Sequence, residues 1–403
     1  MKRTFLVLIL LGTLTGCSIL QPAATATPLP TQTTIPPTAF QPVTDTPTPL
    51  PPSATPLPPT ATPTITATPP QSMGPADFPP GVNPLTGLKV ADPTRLDRRP
   101  IIVKIQNLPR ESRPQWGVSS ADLVYEYYTE FGTTRFAAIY YGEDAPQAGP
   151  IRSARFIDVN FIRGYKAFFV FGSAYEGVYN RLVNSEFSDR LILEQAKSCP
   201  PLCRVEPNTY NYLVLDTSKF SSYVASRKLD DTRQNLDGMY FDQKAPADGA
   251  PGSTLYARFS GAIYNRWDYD PASGRYLRFA DTQNDFSGLN EVYSPLLDRN
   301  TGEQIAVENV VVLFVEHNWV VKDGISEVVD MTLLGQGNAY IARDGQIYNV
   351  RWQRLRGEDV LSLVDAEGNP FPFKPGKTWF EVIAQFSTAE LKEGGMYFRN
   401  VMP

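Results

Sequence analysis

The chain has 403 residues, a formal net charge of −5, one histidine and three cysteines. An acidic balance excludes the basic footprint that nucleic-acid phosphates call for. A single imidazole and three thiols leave no His/Cys cluster for a metal centre, and neither a metal nor another cofactor is expected.

Residues 1–17 are a targeting segment and stand apart from the fold. Lys2 and Arg3 form a positive n-region, Phe5 to Leu11 is an apolar run of signal-peptide length, and Leu14-Thr15-Gly16-Cys17 ends it. Small residues directly before a cysteine resemble the bacterial lipobox, in which the leader is cut before the cysteine and the thiol carries a diacylglycerol. The plainer alternative is a secretory leader with a chance cysteine. A transmembrane anchor is worse served, since the run falls short of the ~20 residues that a bilayer requires. Lipid on Cys17 predicts an extracytoplasmic protein anchored to the cell membrane.

From residue 18 to 75 the chain is almost entirely Pro, Thr, Ala, Ser and Leu, with repeated units such as Ala61-Thr62-Pro63-Thr64 and Thr66-Ala67-Thr68-Pro69. Such a segment buries too little apolar surface to offset chain entropy, which predicts a disordered Pro/Thr-rich stalk. Proline keeps it extended, and at ~3.1 Å per residue it reaches at most ~180 Å.

The remainder reads as an α+β chain: a mixed α/β part over 76–238, then a β-rich part over 239–403. Pro100 to Gln106 is a buried-type strand, and Leu123 to Glu130 pairs with Arg135 to Tyr141 as a hairpin. After the Gly149-Pro150 turn, Ser153 is placed to cap a helix running to about Arg163. Lys166 to Phe171 is a further strand, Ala174 to Asn184 a helix, and Asp216 or Thr217 starts a helix to about Arg227. Between these, Cys199 and Cys203 sit close enough in sequence for a small-loop disulfide; a zinc pair is the alternative, though no second ligand pair accompanies it. Beyond residue 239 only strands are predicted: 257–264, 275–279, 307–316, 327–334, 337–343, 346–354 and 379–383, separated by turns such as Ser273-Gly274 and Asp344-Gly345. They suggest a sandwich or a curved sheet, with Trp319, Trp352 and Trp379 as core anchors.

These stretches carry a resemblance. Asn83-Pro84-Leu85-Thr86-Gly87, Arg113-Pro114-Gln115, Ala121-Asp122-Leu123-Val124-Tyr125-Glu126 and Gly149-Pro150-Ile151-Arg152-Ser153-Ala154-Arg155 form one set. Gly335-Gln336-Gly337-Asn338-Ala339, Trp352 and Pro375-Gly376-Lys377-Thr378-Trp379 belong to a second. Together they resemble the YerB-like lipoprotein family, whose two conserved regions are of unknown function. The resemblance implies a bacterial envelope lipoprotein with a mixed α/β part and a β-rich part, and no assigned chemistry. Relatives often place a histidine near the turn at Val170-Phe171-Gly172-Ser173 and before Asn208, and this chain has none at either place.

Catalytic sets are scarce. His317 is the only imidazole and reads as a partly exposed strand-end residue, so triad chemistry has nothing else to rest on. Glu126 is the weak catalytic candidate, for hydrolysis or transfer on an envelope glycan. On one strand Glu126 and Glu130 lie ~13 Å apart along the backbone, beyond the ~5 to 9.5 Å that a carboxylate pair needs. A second acid would have to come from Asp122, Asp158 or Glu176.

The richest stretch is Ala148-Gly149-Pro150-Ile151-Arg152-Ser153-Ala154-Arg155. With Ser153 as cap, Arg152 and Arg155 flank a helix start that already favours an anion, and Arg135 can converge from the hairpin. One reading makes Arg135, Arg152, Ser153 and Arg155, with Glu126 and Glu130 beside them, a site for a ligand's carboxylate or phosphate. The other pairs the arginines with Glu126, Glu130 or Asp158 as internal bracing. The first makes the partner a cell-wall glycan or an envelope protein.

Overall fold

A computed structural model describes residues 72–205 and 212–403. Cys17, the leader, nearly all of the Pro/Thr-rich segment and Asn208 lie outside the described residues. The element that organises the rest is the hairpin Leu123–Tyr128/Thr134–Tyr140, paired from Leu123↔Ile139 to Tyr128↔Thr134. Its strands are rich in aromatic and β-branched side chains, and the Glu130–Thr133 turn closes through the Thr133 N–H onto the Glu130 carbonyl, with Gly132 at φ +77°.

Twelve strands form one mixed sheet around this hairpin. In order they are Ala250–Pro251, Gln346–Arg354, Gly335–Arg343, Asn309–Lys322, Thr378–Ala384, Leu123–Tyr128, Thr134–Tyr140, Ile101–Gln106, Phe168–Val170 and Leu191–Ile192. Glu327–Thr332 adds to Asn309–Lys322, and Ser362–Val364 to Gln346–Arg354. The sheet crosses residue 239 where Thr378–Ala384 runs parallel to Leu123–Tyr128. Strands on both sides of that residue therefore share one sheet.

Side-chain alternation divides the apolar residues between the two faces. Tyr125, Tyr127, Val311, Leu313, Phe380 and Val382 join the helices α1 (Asp158–Tyr165) and α2 (Glu176–Val183) in one cluster. Val124, Val310, Val312, Trp379 and Ile383 join a second cluster with α3 (Phe220–Ser226) and a seven-stranded sheet. That sheet runs Tyr293–Pro295, Arg275–Asp281, Tyr264–Asp270, Thr254–Arg258, Gly395–Arg399 and Thr388–Lys392, with Ala306–Val307 also paired to Arg275–Asp281. Strand content of 41 % against 12 % helix makes this an α+β chain dominated by strands.

Several local expectations change. The strand placed at 257–264 is two strands, Thr254–Arg258 and Tyr264–Asp270, because residues 259–263 turn back through the Phe259 N–H to the Ile263 carbonyl. The helix after Pro150 starts at Asp158, not Ser153. Residues 148–154 are instead extended and bridged on several sides: Ala148 to Leu215, Ile151 to Ile105 and Ala154 to Ala174. Those backbone bonds compete successfully with helix formation, and the Ser153 hydroxyl meets that of Ser173 at 2.7 Å rather than a helical N–H. The strand at 307–316 runs on to Lys322, which puts His317 inside it, 5 % exposed, where burial lowers its pKa to about 4.

Candidate functional site

The arginine stretch lies beside the tip of the central hairpin. Glu130, two residues past the first strand, accepts from Arg135 Nη2 at 2.8 Å and from Arg155 Nε at 2.8 Å, and Arg155 Nη2 completes a two-pronged clasp. The remaining guanidinium donors turn to backbone: Arg135 Nη1 to the Ser153 carbonyl at 3.0 Å, Arg155 Nη1 to the Ala154 carbonyl at 2.8 Å. Burial opposes ionisation of Glu130, yet Arg135 and Arg155 outweigh it and hold the carboxyl below its usual range. Burial, and then repulsion from Arg155, brings Arg135 down to about 10. Arg152 points elsewhere and donates through Nε to Gln106 Oε1.

Under this clasp lies a charged pair that sequence reasoning did not select. Lys104 and Asp158 are both fully buried, 3.1 Å apart, and Asp158 also accepts from the Tyr127 hydroxyl and, at 2.6 Å, from the Arg155 N–H. Lys104 Nζ sits 4.0 Å from the Tyr127 ring centroid. Burial pushes Lys104 down to about 7 and raises Asp158 above its usual value, each opposed by the other's charge. The available signal was a lysine in the middle of the apolar run "PIIVKIQ". A charge there must find a partner inside.

Glu126 does not belong to this cluster. It faces the space between the two sheets, 0 % exposed, while Glu130 lies beyond the strand end at the tip. Its carboxylate accepts from Thr134 Oγ1 at 2.6 Å, Asn107 Nδ2 at 3.0 Å and Arg278 Nη2 at 2.5 Å. Arg278 also reaches Glu381 at 3.1 Å, and Glu381 accepts from Trp267 Nε1 at 2.8 Å. The guanidinium lies over Trp379, 4.3 Å from the ring centroid. Burial, and then the neighbouring Glu126 charge, raises Glu381 to about 7. None of the three acids weighed as partners stands in these contacts. Asp158 bonds Tyr127, the next residue and hence the opposite face; Asp122 accepts from Asn83 and from the Tyr141 and Gly142 N–H groups; Glu176 is exposed on α2.

Beside the Glu130–Arg155 clasp an open groove of about 310 Å³ runs between the hairpin tip, the Ser153 segment, the start of α2 and the turn before Glu327. Glu327 fastens that turn by accepting from the Tyr128 hydroxyl at 2.6 Å and the Phe131 N–H at 2.5 Å. Its rim carries Phe131, Tyr175 and Ile325, exposed by 54 %, 48 % and 87 %. Elsewhere, Cys199 and Cys203 are joined as a disulfide. Among the described residues, no group of three or more His, Cys, Asp or Glu side chains is arranged to hold a metal ion.

The two-sheet architecture and its matched regions place the chain in a family. Residues 85–230 match the N-terminal domain, and residues 255–380 the C-terminal domain, of the family described as "protein of unknown function (DUF3048)". The chain belongs to this YerB-like family. It is similar to YerB of Bacillus subtilis (strain 168), named as a candidate lipoprotein, with 27 % identity over 325 residues, 77 % of this chain and 88 % of that protein. The crystal structure of the YerB protein from Bacillus subtilis shares the fold, with a TM-score of 0.61 and 23 % identity across 75 % of this chain and 96 % of that one.

Proposed function

We propose that this chain is an envelope protein tethered by lipid on Cys17, and that its folded part binds a peptide-bearing component of the cell envelope in the groove beside the Glu130–Arg155 clasp. The observation that carries the reading is the rim: Phe131, Tyr175 and Ile325 stand exposed together around one ordered ion pair. A cluster of large apolar side chains about a concave, partly charged floor suits an extended peptide better than a bare phosphate. The arginine donors already have internal acceptors, so Glu130 and Arg155 line this groove as a paired charge while Arg135 braces Glu130 from outside it. The tether is supported by the cysteine at the end of the leader and by the lipoprotein name of the Bacillus relative. Among the described residues no helix is long and apolar enough to cross a membrane.

A hydrolase reading built on Glu126 gains no support from its setting, because the carboxylate is fully buried and saturated with internal donors. Binding of the full chain to purified peptidoglycan stem peptides tests the proposal. Tyr175→Ala with Ile325→Ala is expected to weaken it by about tenfold or more, the loss of two apolar contacts. Unchanged binding overturns the assignment of the groove.

A further inference from the structure

We infer that a second groove, at the fork where the long strand Asn309–Lys322 changes partners, is a binding site for a neutral oligosaccharide. Asn309–Lys322 pairs with Gly335–Arg343 only as far as Leu313↔Ala339, and with Thr378–Ala384 only as far as Val315↔Ala384. From Glu316↔Thr332 it continues against Glu327–Thr332 instead. Losing two neighbours within three residues opens a cleft of about 440 Å³ that the sheet does not fill. The backbone carbonyl left over at Phe314 is taken by the Trp352 indole N–H at 2.9 Å. The indole needs the room over Gly337, where a Cβ would stand 2.5 Å from Trp352 Nε1. This assigns a physical role to Gly337 within its strand.

The side chains that face the cleft have a definite chemistry. Gln336 and Asn338 project from one strand, Gln385 follows the end of another, and Glu316 stands opposite. All four are exposed, and among the described residues none of their side chains has a protein partner. Amides both donate and accept, as hydroxyl groups do, so three of them plus one carboxylate match a ring bearing several hydroxyls. Phe386, 75 % exposed, offers a flat apolar face for the C–H side of such a ring. Among the described residues no lysine or arginine lines the cleft, and Glu316 opposes anions, which argues against phosphate or uronate ligands. The volume lies within the range of ordinary small-ligand sites.

This site is separate from the peptide groove and does not depend on it. The test is calorimetric titration of the full chain with chitotetraose and with cellotetraose, alongside Gln336→Ala/Asn338→Ala, Phe386→Ala and the Tyr175→Ala/Ile325→Ala protein. Binding of at least one sugar is expected, weakened by about tenfold or more in both cleft variants and unchanged in the Tyr175 variant. The mutated side chains are exposed, so unaltered thermal midpoints certify folding. Absence of binding to both sugars overturns the inference, as does wild-type affinity in the cleft variants. Tighter binding of a glycerol phosphate oligomer at the same residues overturns the neutral-sugar class.

Discussion

Glu381→Gln is the sharpest probe of the buried network. One guanidinium, Arg278, stands between two fully buried carboxylates, 2.5 Å from Glu126 and 3.1 Å from Glu381. Burial and the Glu126 charge raise Glu381 from 4.5 to about 7. A group whose folded pKa is raised contributes stability that is present below its unfolded pKa and is lost as pH rises through the folded one. The window is therefore pH 4.5 to about 7, and the loss across it is on the order of 3 kcal/mol. Glutamine keeps an oxygen for Trp267 and Arg278 but carries no titrating charge. The variant is expected to gain on the wild type as pH rises through that window, a relative shift in Tm of roughly 4–5 °C for a folded part of this size. Groups remote from this network, His317 included, cancel in the difference. Thermal unfolding of both proteins at pH 4.5, 6 and 8 measures it. A Tm difference that stays constant across the three would refute the argument that Glu381 is the group forced to hold a proton.

Further outcomes follow from the same geometry. Arg278→Leu removes the cation in contact with both buried carboxylates and is expected to cost roughly 3–5 kcal/mol in urea unfolding at neutral pH, with less loss at pH 5 where Glu381 is protonated. Glu130→Ala frees Arg135 and Arg155 together and should cost about 1–3 kcal/mol, whereas Glu176→Ala on the exposed face of α2 should fall within ~0.5 kcal/mol; paired denaturation curves distinguish them. His317 has a lowered pKa, so its contribution is present above pH 6.5 and is lost as pH falls toward about 4. His317→Met should flatten the acid side of the stability profile by an amount on the order of 3 kcal/mol, read as the slope of Tm against pH.

Local pattern was enough for the elements that obey it. The strands 346–354 and 379–383, the central hairpin and the Asp216-capped helix were legible because aromatic and β-branched runs, turn dipeptides and a capping side chain are written within a few residues of one another. The family resemblance was legible for the same reason, through short strings such as that from Gly149 to Arg155. The start of α1 was not legible from Ser153. Four backbone bridges and contacts, to Ile105, Leu215, Trp116 and Ala174, hold residues 148–154 extended, and each partner is distant in sequence.

The site divides along the same line. Composition by itself determined an acidic chain with a single histidine and three cysteines, and local pattern placed Arg135, Arg155 and Glu130 as a set that could pair. Only the tertiary structure decided that Glu130 is the shared partner while Glu126, four residues away, belongs to a different buried network with Arg278 and Glu381. The physical reason is the two-residue period of a strand combined with a hairpin that ends between them: one carboxylate is carried into the space between two sheets, the other to the tip. The sugar cleft is likewise invisible in sequence, because it exists where one strand leaves two neighbours for a third.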